Sequence, residues 1–423
     1  MKRFVSLILC IISIFTVSFS TAGCKGVYSH INQDYLFGIC NLTSDQLPSI
    51  IDSKVDNTWS ADKMGALGAK STRLWIYMGY YVKKVANSNE LYLLKGNCDI
   101  LHDYIDKLKG QGVERFVGCV VNFVNPIEFN CSDAAALPSV YDDYDVYVNF
   151  VEMMGEACGM LAQEFPDIQY WEIGNEPDIE HGSWFHKKGY TGSSDNDHKF
   201  TADEAAYISA DLCWYASQAI KKVNPNNKVI LPGLTCSPSS VDFLDWIYKQ
   251  IKSGYLPTTK EYSDRNPDNY FDILAWHPYP SNVNQFIEYN KNMYQVAINH
   301  GDNGKPLFFT EFGFSDFRFG GVPAERGDTD TAGVQNRLAR LAIQCFDAIK
   351  TDLPFVETVM MFRLSNVAEF YDVGSMENSF GLFYSPNDVD EWASKPKPIA
   401  IELYKYFNGQ NADLSVLYKH AIQ

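Results

Sequence analysis

The chain has 423 residues, 46% of them hydrophobic, and a formal net charge of −17 from 35 basic and 52 acidic side chains. That length suits one large α/β barrel or a few average domains, and the apolar fraction suffices for a sizeable core. The acidic surplus, with no block of Lys or Arg, excludes nucleic acid and other polyanions as partners, because the protein's own field would repel phosphates.

The N-terminus carries an export signature. Lys2 and Arg3 precede an apolar run at residues 4–19, and small residues follow at Ser20-Thr21-Ala22-Gly23. This predicts a signal peptide over residues 1–23 and a secreted or cell-surface protein. No later stretch is apolar enough to span a bilayer, so no transmembrane segment is expected in the mature chain. Thr21-Ala22-Gly23-Cys24 resembles a bacterial lipoprotein cleavage box, with Thr where Leu is usual. A lipid on Cys24 would tether the protein to a membrane without inserting the fold; the plainer alternative is a disulfide partner. Losing Cys10 with the signal leaves nine of the ten cysteines. Disulfide bonding with one odd thiol is the expectation, although strand cysteines such as Cys119 fit buried thiols equally well. Asn41-Leu42-Thr43 and Asn130-Cys131-Ser132 are formal glycosylation acceptors, relevant only in a eukaryotic host.

Beyond this leader, short β-rich runs alternate with amphipathic ones. Strands are predicted at 35–42, 71–77, 114–122, 170–175, 229–235, 271–277, 306–311 and 358–363. Helical patterns fall at 59–67, 99–109, 144–164, 202–223, 240–252, 283–299, 331–350 and 398–407. Thr201-Ala202-Asp203-Glu204 has capping-box spacing, and Ser239 or Ser240 can cap the helix beside Pro238. Eight strand–helix repeats predict a single α/β domain, a (β/α)8 TIM barrel over residues 24–408 with a tail at 409–423. The competing open doubly wound sheet lacks its Gly-rich phosphate loop after the first strand. Long loops follow the fourth, seventh and eighth strands, at 178–199 (with Trp184, Phe185, His186 and Tyr190), 315–330 and 366–394. In a barrel these crown the face where active sites are built.

Two of the strands end on glutamates. Tyr170-Trp171-Glu172-Ile173-Gly174-Asn175-Glu176-Pro177 closes the fourth, and Pro306-Leu307-Phe308-Phe309-Thr310-Glu311-Phe312-Gly313 the seventh. Paired carboxyls facing one bowl are what acid-assisted glycosidic cleavage requires. A retaining mechanism needs them roughly 5 Å apart, one ionised to attack and one protonated to release the leaving oxygen. Strict alternation puts Glu172, Gly174 and Glu176 on one face, so Glu172 reads as a lumen carboxylate paired with a basic side chain. Asn175 and Glu176 can both face a ligand only if the strand end bends or bulges.

Asn175-Glu176-Pro177 and Thr310-Glu311-Phe312-Gly313 resemble the two signatures of clan A glycoside hydrolases, the retaining β/α barrels. The resemblance spans nearly the whole mature chain in strand order. It implies Glu176 as general acid and base, Glu311 as nucleophile, and Asn175 as the amide that binds the sugar hydroxyl beside the anomeric carbon. Arg73 sits where the clan places an arginine on the second strand near the nucleophile. His277-Pro278-Tyr279 resembles the His-x-Tyr pair that lines the cleft and orients the nucleophile. Trp184, with its loop, is a candidate for stacking on sugar rings. Trp171 to Pro177 leans towards families 39, 51 and 79, yet no β-sandwich follows; Glu311-Phe312-Gly313 and His277-x-Tyr279 lean towards family 5. The tryptophan usual on strand eight is replaced by Met361-Phe362-Arg363, and Val121-Asn122-Phe123 lacks the histidine many family 5 members carry.

The implied partner is a carbohydrate, with a β-linked polysaccharide favoured, and no nucleotide, flavin or catalytic metal is implied. The histidines are scattered, with no His-x-His or His-x-x-x-His pair of the kind a metal-dependent barrel hydrolase would want. A transglycosylase would use the same two glutamates. A glycan-binding protein on a hydrolase scaffold would have lost one.

Overall fold

The computed structural model describes residues 33–40, 57–85, 90–121, 144–179, 199–253, 264–316, 329–366, 379–385 and 393–419, with Ser88, Lys187 and Asp197. The expected signal segment, Cys24, both glycosylation acceptors, Trp184 and most of the three long loops lie outside these residues.

Ten strands occur among the described residues. In chain order they are β1 (Phe37–Cys40), β2 (Ser71–Tyr77), β3 (Val82–Lys84), β4 (Leu91–Leu93), β5 (Arg115–Val121), β6 (Tyr170–Ile173), β7 (Lys228–Ile230), β8 (Leu274–Ala275), β9 (Leu307–Gly313) and β10 (Val356–Phe362). The helices are α1 (Asn57–Leu67), α2 (Met78–Tyr81), α3 (Lys95–Gly110), α4 (Tyr144–Glu164), α5 (Ala202–Val223), α6 (Pro238–Ser253), α7 (Val283–Asn299), α8 (Thr329–Asp352) and α9 (Pro398–Asn408). Eight strands pair in parallel in the order β7-β6-β5-β2-β1-β10-β9-β8. The ring is drawn together between its ends by bridges Ile230↔Ile273 and Leu234↔Trp276, and Leu231 N–H donates to the Ile273 carbonyl at 2.9 Å. The fold is a single (β/α)8 barrel.

Strands β2, β5 and β9 are buried almost throughout because helices cover one face and the lumen fills the other. One apolar cluster occupies the shell between strands and helices, and a second, including Val117, Ile230, Ile273, Phe308 and Met360, fills the lumen. Each fully buried side chain of this kind contributes about 1.5–3 kcal/mol. Helix starts follow local chemistry. Thr201 and Glu204 complete the capping box of α5, and the Asn282 side chain accepts from the Asn284 and Gln285 N–H groups at the start of α7. Helix α6 begins earlier than its serines suggested: Pro238 opens it, and Ser240 Oγ accepts from Ser237 N–H at 2.9 Å.

Two departures matter. Between β2 and α3 lie α2 and the antiparallel β3–β4 hairpin, pieces too short to leave a readable period. Strands β7 and β8 are shorter than expected, and the chain beyond each continues only as isolated bridges. The C-terminal segment docks through a 3-10 turn at Leu414–Tyr418, where Lys63 Nζ donates to the carbonyls of Leu417 and Lys419, both at 2.6 Å. The seven described cysteines are all free thiols, so disulfide pairing does not involve them. No helix of the described residues is long and apolar enough to cross a membrane.

Candidate active site

The carboxyl ends of β2, β6, β8 and β9 meet at the mouth of the barrel. Along β6, alternation turns Glu172 into the lumen, fully buried. The chain then bends: Gly174 has φ 104° and Glu176 φ 45°. The left-handed region costs a non-glycine residue about 1–2 kcal/mol. Here it is held by Glu176 N–H donating to the Gly233 carbonyl at 2.8 Å, next to an Asn175↔Gly233 bridge. This is the bend required for Asn175 and Glu176 both to reach the mouth.

Strand β9 solves a similar problem by a bulge. Phe309 pairs with Val359 and Phe312 with Met361, so Thr310 and Glu311 together face the single residue Met360. Both therefore project inwards. Thr310 Oγ1 donates to Glu172 Oε1 at 3.0 Å, and Glu311 joins Arg73.

Arg73, fully buried on β2, organises the group. Its Nε and Nη2 bind the two oxygens of Glu172 at 2.6 and 2.9 Å, a bidentate pair. Nη1 donates to Glu311 Oε1 at 2.7 Å and Nη2 to Asn175 Oδ1 at 2.7 Å. Its plane lies 4.6 Å from the Trp75 ring centre, and the thiols of Cys40 and Cys119 flank it. Burial pushes the Glu172 carboxyl up, but Arg73 and His277 outweigh this and hold it down at about 2. Glu172 is thus the expected paired lumen anion.

The His-x-Tyr pair, expected to orient Glu311, divides its work between the two glutamates. His277 Nδ1 lies 2.7 Å from Glu176 Oε1 and 3.9 Å from Glu311 Oε2, while Nε2 lies 3.0 Å from Thr310 Oγ1. Burial lowers the imidazole pKa, yet Glu311, Glu172 and Glu176 raise it to about 10. His277 is therefore an imidazolium that donates to both neighbours. Tyr279 donates to Glu311 Oε2 at 2.5 Å; its ring is 40% exposed while its hydroxyl end is enclosed. Burial of that hydroxyl and the nearby Glu311 and Glu176 carboxylates push the phenol well above its usual range, so it stays a donor.

A carboxylate oxygen of Glu176, one of Glu311 and a ring nitrogen of His277 all lie within 4.8 Å of one another. Aromatic side chains stand on two sides: Trp75 and Tyr77 stack at 6.1 Å, and Tyr279 packs edge-on to Phe362 at 6.2 Å. Phe362 closes β10 as the aromatic residue of Met361-Phe362-Arg363.

The structure thus brings Arg73, Asn175, Glu176, His277, Tyr279 and Glu311 together; Trp184 lies outside the described residues. Sequence reasoning missed Thr310 and Gly233. A Cβ on Gly233 would stand 2.1 Å from His277 Nε2 and 2.8 Å from Glu172 Oε1, so only glycine fits.

No protein-family model and no curated protein sequence matches the chain. Solved structures match by fold. A GH5-4 broad specificity endoglucanase from Clostridium acetobutylicum superposes with a TM-score of 0.56 at 12% identity, over 90% of this chain and 98% of that one. A double mutant of the beta-glucosidase from Trichoderma harzianum gives 0.56 at 15% identity, over 91% and 100%. The GH10 structure from Paenibacillus barcinonensis gives 0.53 at 12% identity, over 90% and 96%. At these identities the likeness shows a shared barrel fold.

Proposed function

We propose that this chain is a retaining glycoside hydrolase that cleaves β-linked saccharides by double displacement. Glu311 is the nucleophile and Glu176 the acid and base. The observation that carries this is the carboxylate pair, with oxygens within 4.8 Å. Retaining enzymes place the two groups about 5–5.5 Å apart, whereas inverting enzymes leave about 6.5–9.5 Å for a water.

Glu311, aimed by Arg73 and Tyr279, attacks the anomeric carbon. The bond to the leaving oxygen breaks as Glu176 gives that oxygen its proton. A water then loses a proton to Glu176 and adds to the anomeric carbon, freeing Glu311. At the start two cations, Arg73 and His277, face two anions, Glu172 and Glu311. In the covalent intermediate Glu311 is a neutral ester and Glu176 the second anion. The buried site therefore never gains net charge, and His277 donates to Glu176 as its charge appears. Asn175 spends its amide oxygen on Arg73, so it meets substrate as a donor, suited to the sugar hydroxyl beside the anomeric carbon. The aromatic mouth favours a β-linked polysaccharide or oligosaccharide. The basic start and apolar run of residues 1–19 support export of such an enzyme.

The test is to incubate wild type and Glu311→Ala with β-linked polysaccharides and aryl β-glycosides, following the anomeric proton by NMR. Wild type is expected to release product of retained configuration. The variant should lose activity by on the order of 10⁴-fold or more and regain turnover with azide. Glycan binding without turnover by wild type would favour a binding scaffold, and full activity in Glu311→Ala would overturn the mechanism.

A further inference from the structure

Asp178, two residues beyond Glu176, is 8% exposed and makes contacts that the chemistry above does not use. Its Oδ2 accepts from Thr235 Oγ1 at 2.9 Å and from Ser240 Oγ at 2.5 Å. Both carboxylate oxygens also lie 3.1 Å from Thr235 N–H. Ser240 lies in the first turn of α6, and its hydroxyl receives Ser237 N–H, so the connection from β7 to α6 is folded around one carboxylate.

That connection also holds the catalytic turn at its other end. Glu176 N–H donates to the Gly233 carbonyl, and Pro177 restricts the backbone between the two anchors. Residues 176–178 are thus fastened to residues 233–240 on both sides of the proline. The fastening matters because Glu176 has φ 45°, a conformation that persists only where its surroundings over-determine it. Ile179 N–H donating to the Glu176 carbonyl at 3.3 Å adds little. His277 fixes only the carboxyl tip.

We infer that Asp178 is a positioning residue for the acid, pinning the turn to Thr235 and Ser240 so that the Glu176 carboxyl is aimed at the leaving oxygen. The inference rests on the reading of Glu176 as acid. A displacement near 1 Å can cost about 10²-fold in rate, and here the loss falls only on steps that need the proton. A leaving group stable as an anion departs without it.

The experiment measures kcat/KM for Asp178→Ala, Asp178→Asn and wild type on aryl β-glycosides spanning poor to activated phenol leaving groups. The Ala variant is expected to lose about 10²-fold on the poorest leaving group and less than about 3-fold on the most activated. Dependence on leaving-group pKa should steepen, and Asp178→Asn, which keeps an acceptor oxygen, should fall between. Glu176→Ala run in parallel separates the two ideas. If it shows no steepening, the acid assignment fails and takes this inference with it. If it steepens while Asp178→Ala loses the same factor on every substrate, Asp178 only supports the fold and the inference is overturned. Should Asp178→Ala not fold, Thr235→Val and Ser240→Ala each remove one donor, and a flat series in both overturns the inference equally.

Discussion

Two buried arginines stand at opposite ends of one barrel, in surroundings that differ in kind. At the amino end, the Arg115 guanidinium lies 4.4 Å from the Tyr35 ring centre, 4.8 Å from Tyr170 and 5.3 Å from Phe308. It binds one carboxylate, Glu357, at 2.7 Å and one hydroxyl, Thr358, at 2.6 Å. At the carboxyl end, Arg73 meets two carboxylates, an amide, two thiols and one ring. The lower cation is matched by one anion and spread over aromatic faces, so it can only hold the barrel shut. The upper one is shared between Glu172, fixed as an anion, and Glu311 at the edge of the mouth, where charge can move.

Arg73→Met should break this comparison most severely. It strands two buried carboxylates, a loss of about 3–5 kcal/mol, read as a lower denaturant midpoint, with turnover gone. If activity survives there, the upper arginine is no more than a second plug.

A smaller effect should appear in the pH dependence of stability. Glu172 is lowered from 4.5 to about 2, so its contribution is present above pH 4.5 and lost as pH falls towards 2. His277 is raised from 6.5 to about 10, so its contribution is complete below pH 6.5 and lost as pH rises towards 10. Thermal midpoints should therefore be highest between about pH 4.5 and 6.5. Glu172→Gln should flatten the acid side and His277→Gln the alkaline side. Unchanged slopes in either variant would show that the upper network does not hold these charges.

The smallest effect belongs to Arg115→Met. Leaving the Thr358 hydroxyl and Glu357 without their donor should cost about 1–3 kcal/mol, with kcat/KM within about twofold of wild type. A catalytic defect larger than the stability loss would erase the distinction between the two ends.

Much of this architecture was legible in residue order. Strand β2 and helices α4, α5 and α7 have the bounds their periodicity predicted, because long amphipathic or apolar runs with clear caps leave little ambiguity. The two glutamates announced themselves at strand ends. What could not be read was geometry that depends on a neighbour. Glu172 was recognisable as a paired lumen carboxylate, yet its partner Arg73 lies two strands away. Thr310 and Glu311 should face opposite sides by strict alternation, and only the bulge against Met360 turns both inwards. Nothing in Phe309-Thr310-Glu311-Phe312 marks that bulge. His277 reaches Glu176 at 2.7 Å as well as Glu311 at 3.9 Å, and the first contact was not legible because sequence gives the element but not the reach of a side chain. Asp178 read as the first residue of a loop; the serines and threonine after Gly233 were its only trace.

The free cysteines have a use of their own. Cys40 and Cys119 sit in the lumen against Arg73, whereas Cys98, Cys158, Cys213 and Cys345 are buried on helices of the outer shell. Burial pushes the thiols of Cys40 and Cys158 up to about 12, so alkylating reagents meet no thiolate until the protein opens. The chain carries two built-in clocks, one for loosening of the mouth and one for melting of the shell, and mass spectrometry can read them apart.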